Sequence, residues 1–381
     1  MKKFLTSLLV MLTIVATSMA CLFMPVMAEG DAQTDPGVDF HFLDVNGLEK
    51  VAGGAHDPIG SSDCIIIVDH GVITMIDTGT ENKVSTDKII KYAKDLGISK
   101  IDHLFLTHPH DDHVGGVPEV VGAFDVVNVY YTAPMNWKKV RPCEVDWGTK
   151  LNFDIAVKAI AEKLNSDGSA INVIHPDEEG KVYTISKDSY FTVYNCLNVV
   201  KNDNREPEFN DFSMYLKYTY KGINALFTGD VNLQYERTVL GQVRKDGTSC
   251  SADDPEAIDP VGVCQIYKIP HHGTVGSVST ETLFNHINPT KDTSFKAVVT
   301  GYWVNTGSAT NCLVADRCAQ YGFDMRFTDG TDLERYWGMT NATDKRVGHN
   351  WGDTIIHTDG VTTSWVYDTP NYLVREGVEQ N

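Results

Sequence analysis

Past residue 28 the chain has no apolar run of the 18 or more residues that a membrane-spanning helix needs, no CxxC pair, no internal repeat or low-complexity tract, and no basic run longer than Lys138-Lys139. Each absence removes a class of function. Without paired thiols a thiolate zinc site is disfavoured, and without basic runs little is available to displace counterions from a phosphate backbone. Lys and Arg number 32 against 51 Asp and Glu, a net charge of −19. Leaving out Lys2 and Lys3 of the leader gives −21 (30 − 51), so extended nucleic acid is a disfavoured partner.

The leader is the exception to the missing apolar runs. Lys2-Lys3, the nearly uncharged Phe4–Ala20 stretch and the small residues before Glu29 read as a cleavable signal peptide over 1–28, cut near Ala28. Cys21 invites a lipoprotein alternative, but Leu22-Phe23-Met24 is a poor tether. The expectation is a secreted or extracytoplasmic protein with no transmembrane segment in the mature chain. Seven cysteines remain after cleavage, an odd number, so at least one is unpaired or bonded between molecules. Cys64 and Cys264 fall in apolar runs and read as buried; Cys250, in a polar loop, is the easier disulfide candidate.

No linker divides residues 29–381, so one domain is expected, with a core at about 38–303 and an extension at about 304–381. Residues 38–45, 63–69, 72–77, 101–106 and 126–131 read as strands, with a tight hairpin at His70-Gly71. Ser85 is a candidate N-cap for a helix ending at Gly97, and 153–164 is amphipathic. The second half continues the alternation, with strands at 190–194, 213–220, 223–227, 265–269 and 296–300 and helices near 233–242 and 280–286. Two antiparallel-rich halves with flanking helices predict a four-layer α/β/β/α sandwich. Residues 328–353, rich in Gly, Thr and aromatics, read as a long surface loop.

What is present in excess is metal-binding chemistry. His108-Pro109-His110-Asp111-Asp112-His113 packs three imidazoles and two nearby carboxylates behind a buried strand and in front of Gly115-Gly116. Zinc takes imidazole nitrogen and carboxylate oxygen, and catalytic sites leave one position open. His108 and His110, two apart on an extended loop, can point at one ion, while Asp112 and His113 turn to a second; Asp111 stays outside. Two later motifs could complete a dinuclear site. Phe227-Thr228-Gly229-Asp230 ends a strand with an acid placed to bridge two cations, and Ile269-Pro270-His271-His272-Gly273 puts two imidazoles in a turn. His41, His103 and His286 sit within regular elements and read as structural, whereas His56 could line a pocket.

In this order the motifs resemble the metallo-β-lactamase superfamily: Asp77 in IDTG matches its first motif, HPHDDH its second, Asp230 its fourth and His271-His272 its last. Within it, FLDVNG, IDTG, LTHPHDDHVGG, FTGD and IPHHG are similar to the hydrolase domain of ComEC-type competence proteins and to secreted phosphorylcholine esterases, over about residues 38–303. The resemblance implies the four-layer fold and two divalent metal ions, zinc or alternatively manganese. His108 and His110 would hold the first ion, Asp112, His113 and His272 the second, and Asp230 both. Asp77 would stand behind them, fixing the ligand loop. The family's third-motif histidine is missing; Asn210-Asp211-Phe212-Ser213 lies nearest its place, which leaves the first ion less fully held.

The expected function is therefore a secreted metal-dependent hydrolase in which Asp112 or Asp230 orients and deprotonates water and His271 protonates the leaving group. A phosphoester or phosphodiester on a small molecule or in the cell envelope is the expected substrate, since bound cations supply the positive charge the surface lacks. A lactonase, a β-lactamase-type hydrolase and a nuclease are the alternatives within enzymes, and a metal-stabilised binding module is the alternative outside them.

Overall fold

The computed structural model describes residues 35–45, 48–50, 56–58, 62–132, 149–197, 208–231, 233–273, 279–302, 314, 317–329 and 353–366. The leader, Cys143, Cys312, His349, the His56 side chain and most of the 133–150 and 328–353 segments lie outside them.

From the amino end come β1 (Val38–Phe42), the pair β2 (Leu48–Lys50) and β3 (His56–Pro58), then β4 (Ile65–Asp69), β5 (Val72–Ile76), helix α1 (Lys83–Asp95) and β6 (Lys100–Leu106). Two short helices follow, α2 (Asp111–Val114) and α3 (Val117–Ala123), then β7 (Asp125–Tyr131), α4 (Thr149–Glu162) and β8 (Asn172–Ile174). The remainder adds β9 (Lys181–Thr184), β10 (Ser189–Tyr194), β11 (Tyr215–Tyr220), β12 (Ile223–Phe227), β13 (Ile266–Lys268) and α5 (Glu281–Ile287). It closes with β14 (Lys296–Tyr302), β15 (Asp324–Asp329), β16 (Thr354–Thr358) and β17 (Thr363–Trp365). One sheet runs β17-β16-β1-β4-β5-β6-β7-β8 and the other β15-β14-β13-β12-β11-β10-β9.

Three apolar layers separate four layers of structure, so the fold is the α/β/β/α sandwich. In β4, Ile65 and Ile67 point between the sheets, while Ile66 and the preceding Cys64 point outward under α1 and α3. Burial on both faces is why this strand reads as an unbroken apolar run. Between the sheets, Phe40, Phe42 and Phe105 meet Phe191, Tyr218 and Phe227. Leu283, Phe284 and Ile287 of α5 cover the far face of the second sheet.

Each sheet changes from antiparallel to parallel pairing partway across: β4 pairs antiparallel with β5, which pairs parallel with β6, and β11 pairs antiparallel with β12, which pairs parallel with β13. Loops leaving the carboxyl ends of such strands are where α/β proteins collect ligands. The β4–β5 hairpin does turn at His70-Gly71, both at positive φ (50° and 85°), as a two-residue hairpin loop needs.

Three local expectations change. Helix α1 is capped by Asn82, whose side chain accepts from Val84 N at 2.8 Å, because Ser85 is drawn inward beneath Gly79. Residues 233–238 form only a 3-10 turn, in which Glu236 is committed to Thr280 at the start of α5. The tail is no appendage: β16 lies directly against β1, Phe40 opposite Ile356, and β17 is tied to β15 by Trp365, which stacks 4.2 Å from the Arg326 guanidinium and donates to Asp324. A pairing between strands more than 300 positions apart leaves no local pattern to read. No helix among the described residues is long and apolar enough to cross a membrane.

Candidate metal centre

The centre begins where β5 and β6 leave the first sheet side by side, Ile76 opposite Phe105. Asp77 follows in the left-handed region (φ 57°), and its two carboxylate oxygens accept from Thr107 N and Thr107 Oγ1, each at 2.7 Å. The HPHDDH segment is then folded back onto 62–81. Asp112 O accepts from Asp63 N at 3.1 Å and Ser62 Oγ at 2.9 Å, and His113 O accepts from Thr78 N at 2.7 Å. The two glycines after the cluster permit this. A Cβ on Gly115 would lie 2.3 Å from Glu81 N, and one on Gly116 would lie 2.2 Å from Thr78 O.

The second sheet brings its share from β12 and β13. Gly229 (φ 49°) passes so close to the first sheet that a Cβ there would lie 3.0 Å from Thr107 Cβ, which lets Asp230 reach the first sheet's cluster, and Asp230 N donates to Ser213 Oγ. His271 (φ 49°) and His272 (φ 52°) form a left-handed turn, with His271 N donating to Gly229 O at 3.1 Å. Of the seven non-glycine residues at positive φ among the described residues, three are Asp77, His271 and His272. Each costs roughly 1–2 kcal/mol that glycine would avoid, so the side chains are what these positions require.

Ligand-type atoms of Asp112, His113, Asp230 and His272 all lie within 4.8 Å of one another. His113 Nε2 to Asp230 Oδ1, His272 Nε2 to Asp230 Oδ2 and His272 Nε2 to Asp112 Oδ2 are each 3.2 Å. His113 Nδ1 is 2.7 Å from Asp77, and His272 Nδ1 is 2.5 Å from Thr300 O. Both rings therefore donate through Nδ1 and turn Nε2 inward, the nitrogen that a bound cation would take in place of a proton. His113 Nε2 and Asp230 Oδ1 are buried with no hydrogen-bond partner, an arrangement that a cation between them satisfies. The donor set is the nitrogen and oxygen mixture of a zinc- or manganese-type ion.

Beside this group His108 Nε2 and His110 Nδ1 face each other at 3.0 Å, with Thr107 Oγ1 3.2 Å from His108 Nδ1. Across from them, Asn210 Nδ2 is 3.3 Å from His271 Nε2, and His271 Nε2 is 3.9 Å from Asp230. Asn210 Oδ1 is buried without a partner. Asp211 instead closes its own turn, accepting from Glu208 N at 2.9 Å.

Electrostatics divide the histidines. Burial disfavours charge on His113 and His272, yet Asp230 and the surrounding carboxylates override it and hold both pKa values well above the usual imidazole range. His108 is pushed well below that range by burial and by neighbouring His113, and His271 is lowered by burial despite Asp230. Asp230 is held far down, since His113 and His272 outweigh its burial.

Two buried groups were missed in the sequence. Asp63 lies 3.4 Å from His272 Nδ1 and 3.8 Å from His113 Nδ1, and Lys268 is ion-paired to Asp63. The one readable signal was a lysine in the apolar strand directly before the Ile269–Gly273 motif. His41, His103 and His286 are engaged elsewhere, with Tyr92 OH, Tyr130 OH and Gly262 N respectively. His175 is engaged with Tyr131 O.

Among solved structures, the chain is similar to a metallo-beta-lactamase fold protein, YhfI, from Bacillus subtilis. The likeness is 10% in identity, with a TM-score of 0.43, over 77% of this chain and 97% of that one. It is also similar to a metallo-beta-lactamase with a HARLDQ motif from Cronobacter sakazakii, at 12% identity and a TM-score of 0.28, over 46% of this chain and 58% of that one. At these levels neither likeness informs the site. The family model described as metallo-beta-lactamase superfamily matches residues 57–180, which takes in Asp77 and His108 to His113 and stops short of Asp230 and His272. Segment 57–180 thus resembles the metallo-beta-lactamase superfamily, and the four-layer sandwich around it is consistent with that fold.

Proposed function

We propose that this chain is a secreted hydrolase that uses two divalent cations, zinc or manganese, to cleave a phosphoester, with a phosphodiester on a small molecule or envelope component as the favoured substrate. The observation that carries the reading is the buried convergence of Asp112, His113, Asp230 and His272, with His113 Nε2 and Asp230 Oδ1 left unpartnered. When bound, the cations would lower the pKa of water and stabilise charge developing on the substrate oxygens.

The chain's own groups divide the remaining work. Asp112, whose side chain is 28% exposed while its neighbours are buried, is at the rim and accepts the proton of an incoming water. Asp230 is placed between the His113 and His272 rings and orients both sides of the centre. His271, 29% exposed, faces Asn210 and Asp230 and hands a proton to the leaving group. Its depressed pKa makes it a readier donor, protonated in a smaller fraction near neutral pH. Without its leader the chain carries a net charge of −21 (30 − 51), which offers a phosphoester little attraction of its own, so binding energy is concentrated at the centre.

The test is hydrolysis of a chromogenic phosphodiester, with zinc and with manganese, by the wild type and by Asp112→Ala. Turnover lost in a variant that keeps its far-UV circular dichroism supports the reading. A wild type that opens a lactone or a β-lactam and leaves phosphodiesters intact overturns the substrate class. Amino-terminal sequencing of exported protein tests cleavage near Ala28.

A further inference from the structure

Lys268 is the residue that the chemistry above leaves unexplained. It is 1% exposed, yet carries an ammonium group at the end of an otherwise apolar strand in the second sheet. Taking such a group out of water costs several kcal/mol, and a buried ion pair stabilises a fold little better than apolar residues of the same volume. The stability of the sandwich does not account for it.

Its contacts do. Lys268 Nζ crosses between the sheets to pair with Asp63, donates to Gly229 O at 3.0 Å and lies 3.7 Å from Asp230 Oδ1. Asp63, also buried, faces His272 Nδ1 with one oxygen and His113 Nδ1 with the other, at 3.4 and 3.8 Å. The Asp63 backbone N–H holds Asp112 O. One ion pair thus touches every element that carries Asp112, His113, Asp230 and His272, and these contacts stop short of His108 and His110.

We propose that Lys268 and Asp63 are positioning residues, a neutral clamp across the two sheets that presets the second metal position and acts on the first only through the shared Asp230. The inference rests on the metal-centre reading above. Asp77 and Thr300 O accept from the Nδ1–H groups of His113 and His272, and Asp63 adds negative charge on that same side of both rings, away from the centre. Lys268 offsets the charge of Asp63 and fixes the Gly229 carbonyl just ahead of Asp230. A clamp of this kind standing behind ligands changes metal affinity by roughly 10–100-fold.

The test compares Lys268→Met, Asp63→Leu and the double variant with the wild type, all as full mature protein. Zinc affinity and stoichiometry are read by competition with a chromophoric chelator, and unfolding temperature is read on metal-free protein. Each single variant strands a buried charge and should unfold at lower temperature. The double variant should recover most of that loss, yet still bind the second zinc ion about 10–100-fold more weakly, with the first weakened less. If the double variant binds both ions as the wild type does, the pair is structural only and the proposal fails. Equal weakening of both ions also overturns it. A wild type that binds no zinc instead overturns the metal-centre reading, whatever the variants' unfolding temperatures.

Discussion

The two halves of the centre are built from different materials. The second position has two carboxylates and two imidazoles gathered within 4.8 Å, each imidazole backed by an acceptor on its far nitrogen. The first has two imidazoles, His108 and His110, facing neutral Asn210 and a His271 whose pKa is lowered. Carboxylates attract a cation over distance and imidazoles do not, so on the proposed two-cation reading the second position would hold its ion more firmly and the first would be left open to a substrate oxygen.

The comparison can be broken or sharpened in steps. The largest effect is expected for Asp230→Ala, which removes the carboxylate standing between the two sides; a loss of several kcal/mol of transition-state stabilisation corresponds to at least about 10³-fold in turnover. Unchanged turnover would mean that the two sides do not work together. Next comes the support of the open side. Asn195 Nδ2 donates to the carbonyls of Asp211 and Ser213, and Asn195 N donates to Glu179. Burial raises Glu179 to about 7 despite those amides. Because the folded protein then holds a proton that the unfolded chain releases above about 4.5, stability is full below that pH and falls as pH rises through 7, by at most about 3 kcal/mol. Glu179→Gln should flatten that slope in urea unfolding followed from about pH 4 to about pH 8, and an unaltered slope assigns it to other groups.

Gly116→Ala should cost roughly 1–3 kcal/mol in thermal unfolding, since its methyl meets Thr78 O. The smallest effect separates the positions most cleanly. Asp77→Asn, which removes the acceptor behind His113, should weaken the second ion by roughly tenfold, whereas His110→Ala should weaken only the first. Both ions weakening together in each variant would dissolve the distinction.

How much of this was legible depended on whether the signal was local. The HPHDDH cluster, IDTG, the acid after Gly229 and the paired histidines could each be read, because a strand followed by a turn full of ligand side chains is a pattern confined to a short stretch. The sandwich followed from the alternation of buried strands and amphipathic helices. Asn82 as the cap, the 3-10 turn at 233–238 and the place of β16 against β1 were not legible, because each was settled by packing against something remote in sequence.

By itself the sequence determined which chemical groups the centre contains and that they leave the ends of buried strands, since ligand type and strand periodicity are properties of short stretches. Tertiary structure alone decided how those groups face one another. Parallel register beside β5 puts Asp77 behind His113, the close pass of Gly229 over Thr107 brings Asp230 across from the other sheet, and Lys268 meets Asp63 between them. The physical reason is that an orienting hydrogen bond depends on angstrom-scale position, and position is fixed only when two sheets pack through a shared core.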